Sequence, residues 1–207
     1  MLELPFGVIV LAAGASRRMG TPKQLLNIGG CSLIRRVAQT ALGSGAEKVV
    51  VVLGAHATTI QQELEGLNLS VAVNEAWDSG MGSSVVCGVK TLQKEAPRVE
   101  GAILLVADQP DITGDSLRKL WQASADDPCA AVVASRYGDV VGTPAFFGRD
   151  HFGDLLKLEG AHGARHLLKR YANDVRTVDL PEAAFDLDTP EDFAALLHTT
   201  LAELPTS

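Results

Sequence analysis

The sequence has 207 residues, of which 46% are hydrophobic and 21% charged, which is enough apolar material for one substantial core and gives no sign of disorder. The formal net charge of −7 argues against an extended nucleic-acid surface. No apolar stretch approaches the roughly 20 residues of a membrane helix. No basic region precedes the first apolar run, so we expect neither a membrane partner nor an export signal.

The number and spacing of the cysteines indicate the redox compartment of the protein. Cys31, Cys87 and Cys129 are odd in number, far apart and free of any CxxC spacing. That arrangement disfavours both a disulfide framework and a zinc knuckle. A reducing, cytoplasmic location is therefore expected.

Near the amino end, residues 8–13 form an unbroken apolar run rich in β-branched side chains, which predicts a strand buried on both faces of a parallel sheet. The loop after such a strand is a common ligand site. Residues 14–23 hold glycines that leave backbone N–H groups accessible, together with the cations Arg17, Arg18 and Lys23. These features predict a cradle for a polyphosphate.

Two familiar phosphate loops do not fit this segment. A dinucleotide fingerprint that starts at Gly14 needs glycine where Ser16 and Met19 stand. A Walker loop needs Gly-Lys-Ser/Thr, whereas Gly20 precedes a threonine and Lys23 precedes a glutamine. Hydride transfer and P-loop hydrolysis are therefore both disfavoured.

Strand and helix patterns alternate along the rest of the chain, which predicts an α/β sheet. The predicted strands are 48–54, 69–74, 101–107 and 130–134, with an extended piece at 142–147, a period-two segment at 174–180 and a strand end near 185–188. The predicted helices are 31–42, 59–64, one that begins near 83–84, one capped by Thr113, stretches around 155–156 and 167–168, and a last helix with Pro190 in its first turn.

Polar residues stand where these patterns place ligand sites. Asp108 follows the strand 101–107, at the edge of an open α/β sheet where ligands bind, although it could also merely cap the next turn. Ser83 and Ser84 lie near a helix N-terminus, which could hold polar ligand groups, or they could be helix caps only. Trp77 is expected to pack rather than to stack on a ligand.

Four stretches resemble the small nucleotidyltransferases that make molybdopterin dinucleotide cofactors, most closely the molybdenum cofactor cytidylyltransferases. They are 11–14 (Leu-Ala-Ala-Gly) with Arg18-Met19-Gly20 and Lys23, 80–84 (Gly-Met-Gly-Ser-Ser), 108–110 (Asp-Gln-Pro) and 186–192 (Asp-Leu-Asp-Thr-Pro-Glu-Asp). The first stretch is shared with sugar-phosphate and isoprenoid-pathway cytidylyltransferases. It identifies the superfamily better than the substrate.

The resemblance implies a Rossmann-like three-layer α/β/α nucleotidyltransferase fold with a mostly parallel central sheet. It implies one domain over residues 1–207, in which about 1–110 bind the nucleotide and about 111–200 bind the acceptor. The implied reaction transfers CMP from CTP to the phosphate of molybdopterin and releases pyrophosphate, with Mg²⁺ as the cofactor. A recipient molybdoenzyme is among the partners that the resemblance allows.

Roles for single residues follow from the same resemblance. Lys23, Arg18 and Asp108 would be catalytic, and Asp108 and Asp188, from two strand ends, would hold Mg²⁺ through hard oxygen ligands. The nucleotide would be bound by Leu11, Ala12, Ala13, Gly14, Arg18, Lys23, Gly82, Ser83 and Ser84, and the acceptor by Gly142, Thr143, Pro144, Gly163 and Arg165. The methyl group of Ala13 would crowd a purine and favour cytosine. Asp186 and Asp192 are expected to be structural.

Two alternatives stay open. One keeps the chemistry but changes the acceptor to a sugar, polyol or choline phosphate, because Ala161 stands where relatives carry an aspartate ahead of Arg165. The other is a carrier that binds molybdopterin or nucleotide without turnover. The presence of Lys23, Asp108 and Asp188 together disfavours the carrier, since binding alone does not need the full set.

Overall fold

The computed structural model describes residues 4–127 and 131–202, with side chains as far as residue 197. Cys129 and the first residue of the predicted strand 130–134 lie outside the described residues. Cys31 and Cys87 are both free thiols.

Helices and strands alternate as predicted. The strands are β1 (Gly7–Leu11), β2 (Asn27–Ile28), β3 (Cys31–Ser32), β4 (Lys48–Leu53), β5 (Ser70–Val73), β6 (Gly101–Val106), β7 (Val132–Tyr137), β8 (Val140–Gly148) and β9 (Arg176–Asp179). The helices are α1 (Leu33–Leu42), α2 (Ala57–Gln62), α3 (Met81–Glu95), α4 (Gly114–Ala125), α5 (Phe152–Leu155), α6 (Ala164–Arg170) and α7 (Pro190–Ala202), and 3₁₀ turns lie at Lys23–Leu25, Trp77–Ser79, Arg149–His151 and Pro181–Ala184. None of the helices in the described ranges is both long and apolar enough to cross a bilayer.

Within the described residues, one seven-stranded sheet has the order β5-β4-β1-β6-β8-β7-β9. All of its strands run in the same direction except β8, which pairs antiparallel with both β6 and β7. β1 lies between β4 and β6, so the carboxyl ends of these three strands meet at one edge. The sheet is therefore mostly parallel, as predicted.

Alternate side chains of β1 enter two different cores, which explains its unbroken apolar run. Val8 and Val10 pack with the apolar faces of α1 and α4, whereas Ile9 and Leu11 pack with α3. The helices α2 and α7 join the first of these layers, and α5 and α6 join the second. The result is the predicted three-layer α/β/α arrangement.

Two local expectations need correction. The predicted helix 31–42 begins only at Leu33, because Cys31 and Ser32 form β3 of an unpredicted β2–β3 hairpin. The extended piece at 142–147 is confirmed as part of the longer antiparallel strand β8. The predicted strand end near 185–188 is wrong, because these residues follow a 3₁₀ turn and form no ladder with the sheet, and the Leu187 N–H donates to the Asp108 carbonyl instead. Leu187 instead buries its side chain completely in the core.

Close packing of α3 on the sheet gives a stability prediction. A Cβ atom on Gly88 would lie 2.4 Å from Ile9 Cγ2 and 3.0 Å from Val52 Cγ2. Both neighbours are β-branched and stiff at χ1, so they cannot move aside cheaply. Gly88→Ala is therefore expected to lower the free energy of unfolding by about 1–3 kcal/mol, measured by urea denaturation.

The matched control is Gly153→Ala in α5, where an added Cβ meets no atom within 4 Å. This change is expected to alter the free energy of unfolding by less than about 0.5 kcal/mol. Equal stability of the two variants would contradict the packing described for α3.

Candidate active site

A loop at the carboxyl end of β1 leads to Lys23. Ala12 still belongs to the sheet ladder, since its N–H donates to the Val52 carbonyl at 2.9 Å. That amide is consequently not free to bind a phosphate, contrary to expectation. The chain then turns through two residues in the left-handed region, Ser16 (φ 52°) and Gly20 (φ 70°). Glycine suits the second position, whereas a serine holds this conformation only where its surroundings impose it.

Lys23 lies between the two carboxylates that the sequence predicts as metal ligands. Its Nζ atom donates to Asp108 Oδ2 at 2.6 Å, to Asp188 Oδ1 at 3.1 Å and to the Leu187 carbonyl at 3.3 Å. Burial alone would lower the pKa of Lys23, but attraction and hydrogen bonds from the two carboxylates outweigh it and hold that pKa above its ordinary value. The ammonium group therefore stays charged at neutral pH.

A second cation, Arg18, approaches from the solvent side. Its Nη2 atom lies 2.8 Å from Asp188 Oδ2, and its side chain is 72% exposed. Such an exposed pair adds little to stability. Arg18 is thus able to leave Asp188 for an incoming anion, and Arg17 lies along the same cavity.

Asp188 reaches the site from an irregular segment rather than from a strand end. The N–H of Leu187 donates to the Asp108 carbonyl at 2.8 Å, which ties this segment to the end of β6. Asp192 Oδ2 accepts from the N–H groups of Asp188 at 3.0 Å and Thr189 at 2.8 Å, at the start of α7. These bonds fix the backbone that presents the Asp188 carboxylate.

A third carboxylate, Asp186, lies close to the pair, although the sequence predicts only a structural role for it. Partial desolvation by the surrounding protein raises the pKa of Asp186, and the negative charges of Asp108 and Asp188 raise it further. The site therefore gathers three acidic side chains from the ends of two segments that are far apart in the sequence.

A cavity of about 590 Å³ opens over these charges, within the range of small-molecule sites. Its lining includes Leu11, Ala12, residues 14–19, Lys23, Gln24, Trp77, Asp78, Met81, residues 106–108 and Asp188. Sequence reasoning missed Trp77 and Asp78 as site residues and included Met81 only as a member of the motif 80–84. The signal that could have found them is their position just before the predicted helix start near 83–84. Trp77 also packs as expected, since its Cβ lies 2.4 Å from where a Cβ on Gly54 would be.

Several predicted nucleotide residues do line this cavity: Leu11, Ala12, Gly14, Arg18 and Lys23. Ala13 does not, because its methyl group packs in the core shared with α3. It therefore does not crowd a base in the cavity, and the reasoning from Ala13 to cytosine loses its support.

Ser83 and Ser84 are also placed elsewhere. Asn74 Nδ2 donates to Ser83 Oγ at 2.8 Å and to Ser84 Oγ at 3.0 Å. Ser83 Oγ lies within hydrogen-bond distance of the Ala76 and Gly80 carbonyls. Neither serine is the N-cap of α3, a position that Gly80 occupies with no side-chain cap bond, so the helix-cap interpretation is wrong as well. Both hydroxyl groups instead fix Asn74 against the turn before α3.

The glycines of this turn pack against a second loop. A Cβ on Gly82 would lie 3.0 Å from the backbone of Glu159, and a Cβ on Gly163 would lie 2.5 Å from Met81 Sδ. Gly82 is therefore a packing residue, and Gly163 lies behind Met81 rather than in the cavity itself.

The remaining predicted acceptor residues, Gly142, Thr143, Pro144 and Arg165, lie outside the cavity lining. The Thr143 carbonyl accepts a hydrogen bond from Nε2 of Gln109, the residue that follows Asp108, at 3.2 Å. The peptide bond between Thr143 and Pro144 is cis. Gly142 packs under the Tyr137 hydroxyl, which would lie 2.6 Å from a Cβ there.

Arg165 belongs to the same end of the sheet through Tyr137. Burial raises the pKa of Tyr137, the charge of Asp186 raises it further, and Arg165 opposes them by lowering it. The charges of Arg165 and Asp186 therefore both influence the pKa of the Tyr137 phenol, which connects α6 electrostatically to the cluster of Asp108, Asp186 and Asp188.

The donor set suits a divalent cation that prefers oxygen. Asp108 and Asp188 already hold one cation, the Lys23 ammonium group, between them. Among the residues that the structure describes, no group of three or more His, Cys, Asp or Glu side chains could hold a metal ion. Two carboxylates would thus supply part of the coordination, and phosphate oxygens and water the rest, as is usual for Mg²⁺.

Comparison with known proteins gives the family. The MobA-like NTP transferase domain matches residues 8–175. The purine catabolism protein PucB of Bacillus subtilis (strain 168) is 32% identical over 206 residues, covering 89% of this chain and 92% of PucB. Nicotine blue oxidoreductase of Paenarthrobacter nicotinovorans is 36% identical over 114 residues, covering 54% of this chain and 53% of that relative. The alignment thus spans about half of that second protein.

Solved structures of similar proteins match the fold over most of the chain. The crystal structure of the Mycobacterium tuberculosis Rv0371c homologue from Mycobacterium sp. strain JC1 has a TM-score of 0.82 and 30% identity, covering 95% of this chain and 97% of that one. Rv0371c of M. tuberculosis H37Rv in complex with manganese has a TM-score of 0.74 and 28% identity, covering 94% and 99%. A similar protein thus binds a divalent metal. The matches over residues 8–175 and to PucB show that the chain belongs to the MobA-like NTP transferase domain family and is a nucleotidyltransferase.

Proposed function

We propose that the chain transfers CMP from CTP to the phosphate of molybdopterin and releases pyrophosphate. The observation that carries the nucleotidyl transfer is the position of Lys23 Nζ, 2.6 Å from Asp108 and 3.1 Å from Asp188, beside a cavity of about 590 Å³. Positive charge for a triphosphate and oxygen ligands for a divalent cation meet at that point. Family membership supports an NTP as the substrate, and the resemblance of the four motifs supports CTP and molybdopterin.

In this proposal the nucleotide-binding half is about 1–110, and the acceptor-binding half is about 111–200. The cavity-facing part of the loop 14–19, with Arg18 and Lys23, would hold the triphosphate, and Lys23 would face the α-phosphate. Trp77 and Met81 offer apolar surface to the base and ribose. Asp78, on the same lining, carries a carboxylate of the kind that accepts a hydrogen bond from the amino group of cytosine.

Mg²⁺ is the cofactor that we propose, held by Asp108 and Asp188. When bound, it would offset negative charge on the triphosphate and orient it. The residues of the chain would do the rest by position and charge. Arg18 and Lys23 would lower the repulsion between two anions that meet at phosphorus.

The bond changes need no proton transfer. An oxygen of the acceptor phosphate forms a bond to the α-phosphorus, and the bond from that phosphorus to the oxygen bridging to the β-phosphate breaks. A phosphate monoester has a second pKa near 6 and is largely a dianion at pH 7. The attacking oxygen therefore needs no general base, and pyrophosphate leaves with the electron pair of the broken bond.

The acceptor would approach from the side of β7, β8 and α6. Gly142, Thr143 and Pro144 adjoin the residue that follows Asp108, and Arg165 supplies positive charge beyond Tyr137. An anionic acceptor would therefore pass Arg165 on its way to the proposed metal site at Asp108 and Asp188. Gly163, behind Met81, would shape this side rather than bind the acceptor directly.

A pyrophosphate-release assay with each NTP and a panel of acceptors tests the proposal. The expected result is turnover with CTP and molybdopterin in the presence of Mg²⁺, with much slower turnover for GTP. Turnover with a sugar, polyol or choline phosphate instead would replace the acceptor but keep the chemistry. Binding of nucleotide with no pyrophosphate from any acceptor would overturn the enzymatic proposal and leave a carrier.

A further inference from the structure

The loop of residues 12–23, which follows β1, encloses a buried glutamine that belongs to no predicted motif. Gln24 is 1% exposed, in the 3₁₀ turn that follows the loop. Its Nε2 atom donates to the Ala12 carbonyl at 3.0 Å and to the Gly14 carbonyl at 2.8 Å. Both N–H bonds of the carboxamide are thus used on carbonyls of the loop, which fixes the amide orientation.

The carbonyl groups of the loop are consequently turned inward. The Ala13 carbonyl, between the two that Gln24 holds, accepts from the Ala55 N–H at 3.0 Å. Across the part of the chain that the structure describes, no protein oxygen accepts from the N–H groups of Gly14, Ala15 or Ser16. Successive unpaired N–H groups of this kind form an anion-binding concavity, and these three residues line the cavity.

The other end of the Gln24 carboxamide holds the strained residue of the loop. Ser16 Oγ donates to Gln24 Oε1 at 3.2 Å and accepts from the Lys23 N–H at 3.1 Å. These two bonds account for the left-handed conformation of Ser16, since that conformation carries the hydroxyl group to both partners. Gln24 therefore connects the loop carbonyls, Ser16 and the backbone of Lys23 in one network.

We propose that Gln24 is a positioning residue for the polyphosphate of the nucleotide. By holding the Ala12 and Gly14 carbonyls inward, it keeps the N–H groups of residues 14–16 directed at the cavity, and through Ser16 it sets the place of Lys23. Gln24 touches no substrate in this role. The inference rests on the proposed function only in taking the ligand to be a nucleotide polyphosphate.

The test is Gln24→Met, which keeps the length and apolar packing of the side chain but removes the carboxamide. Binding of inorganic tripolyphosphate with Mg²⁺ is measured by calorimetry, because this probe needs neither base nor acceptor. The affinity is expected to fall by roughly 10- to 100-fold, since misdirected loop N–H groups lose hydrogen bonds to a charged phosphate. Ser16→Gly, which keeps the two bonds from Nε2, is expected to weaken binding less.

Ser44→Ala is the matched control for a lost buried polar group. Ser44 is 1% exposed and its Oγ donates to the Ala41 carbonyl at 2.6 Å, at the end of α1 and outside the cavity lining. It is expected to lower thermal stability without changing tripolyphosphate affinity. Hydrogen exchange of the free proteins gives a second readout, in which the loop amides of Gln24→Met exchange faster than those of the wild type while the sheet amides do not.

The outcomes separate the two proposals. If the wild type binds tripolyphosphate and Gln24→Met binds it equally, with unchanged exchange in the loop, the role of Gln24 is overturned and the proposed function stands. If the wild type binds neither tripolyphosphate nor any NTP, the proposed function fails first. If Ser44→Ala lost as much tripolyphosphate affinity as Gln24→Met, the loss would reflect lowered stability alone, and the role would also be overturned.

Discussion

Asp108→Asn is expected to slow pyrophosphate release by about 100- to 1,000-fold while leaving the fold intact. The change keeps the shape of the side chain but removes one negative charge from the pair that holds the Lys23 ammonium group, and Asp108 is the nearer partner at 2.6 Å. In the proposed reaction it also removes half of the protein's ligands for the divalent cation. Steady-state rates with saturating Mg²⁺ and CTP check the result.

Asp115→Asn is the control for this change. Asp115 is an exposed acid in the first turn of α4, where it pairs with Arg118 on the same helix. The same chemical change there is expected to leave the rate of pyrophosphate release unaltered. A rate for Asp108→Asn within about tenfold of the wild type, at equal thermal stability, would show that this carboxylate is not part of the reacting centre.

The parts of the fold that the sequence predicts well are those where one residue pattern has one physical solution. Residues 8–13 have to be buried on both faces, and the structure divides them between two cores. The antiparallel direction of β8 has no such signal, because strand order depends on pairing between distant segments. The strands β2 and β3, with two residues each, are too short to show any period.

The candidate site was predictable in its charges but not in its internal support. Lys23, Asp108 and Asp188 stand out because charged residues beside strand and helix ends need a reason. Gln24 does not stand out, since one polar residue beside a lysine is typical of any exposed turn. Only the structure shows that the loop folds over it.

Ser83 and Ser84 are the converse case, because the sequence predicts them as site residues and the structure places them outside the cavity lining. Hydroxyl groups near a helix start fit a ligand site and a cap equally well, and the sequence alone cannot decide between them. The structure shows neither, because Asn74, which is distant enough to escape any local pattern, donates to both Ser83 and Ser84 while Gly80 is the N-cap of α3. The nearby Trp77, Asp78 and Met81 take the places on the cavity lining instead.

Lys23→Met is expected to change nucleotide transfer and metal binding in opposite directions. The Lys23 ammonium group occupies the carboxylate oxygens that a divalent cation would need, at 2.6 Å from Asp108 and 3.1 Å from Asp188. Without it the two carboxylates repel each other, and a divalent cation relieves that repulsion. The affinity for Mn²⁺ alone is therefore expected to rise roughly 10-fold or more, as read from the electron paramagnetic resonance signal of free Mn²⁺.

The rate of nucleotide transfer by Lys23→Met is expected to fall, in contrast to the rise in Mn²⁺ affinity. Lys23 has a raised pKa and stays protonated through neutral pH, so its loss removes a full positive charge from the proposed triphosphate site. The rate of pyrophosphate release is expected to fall by about 100-fold or more. An ordinary loss of stability cannot produce this pair of opposite effects, because a loosened site would bind both ligands more weakly.

Lys48→Met separates this effect from the loss of a lysine–carboxylate ion pair elsewhere on the chain. Lys48 Nζ lies 2.7 Å from Glu95 Oε2, between β4 and α3, and neither residue lines the cavity. Its removal is expected to leave both Mn²⁺ affinity and turnover unchanged. If Lys23→Met bound Mn²⁺ no better than the wild type, Lys23 would not compete with the cation for these oxygens. The carboxylates would then hold their metal beside the ammonium group rather than in its place, and both charges would act on the triphosphate together.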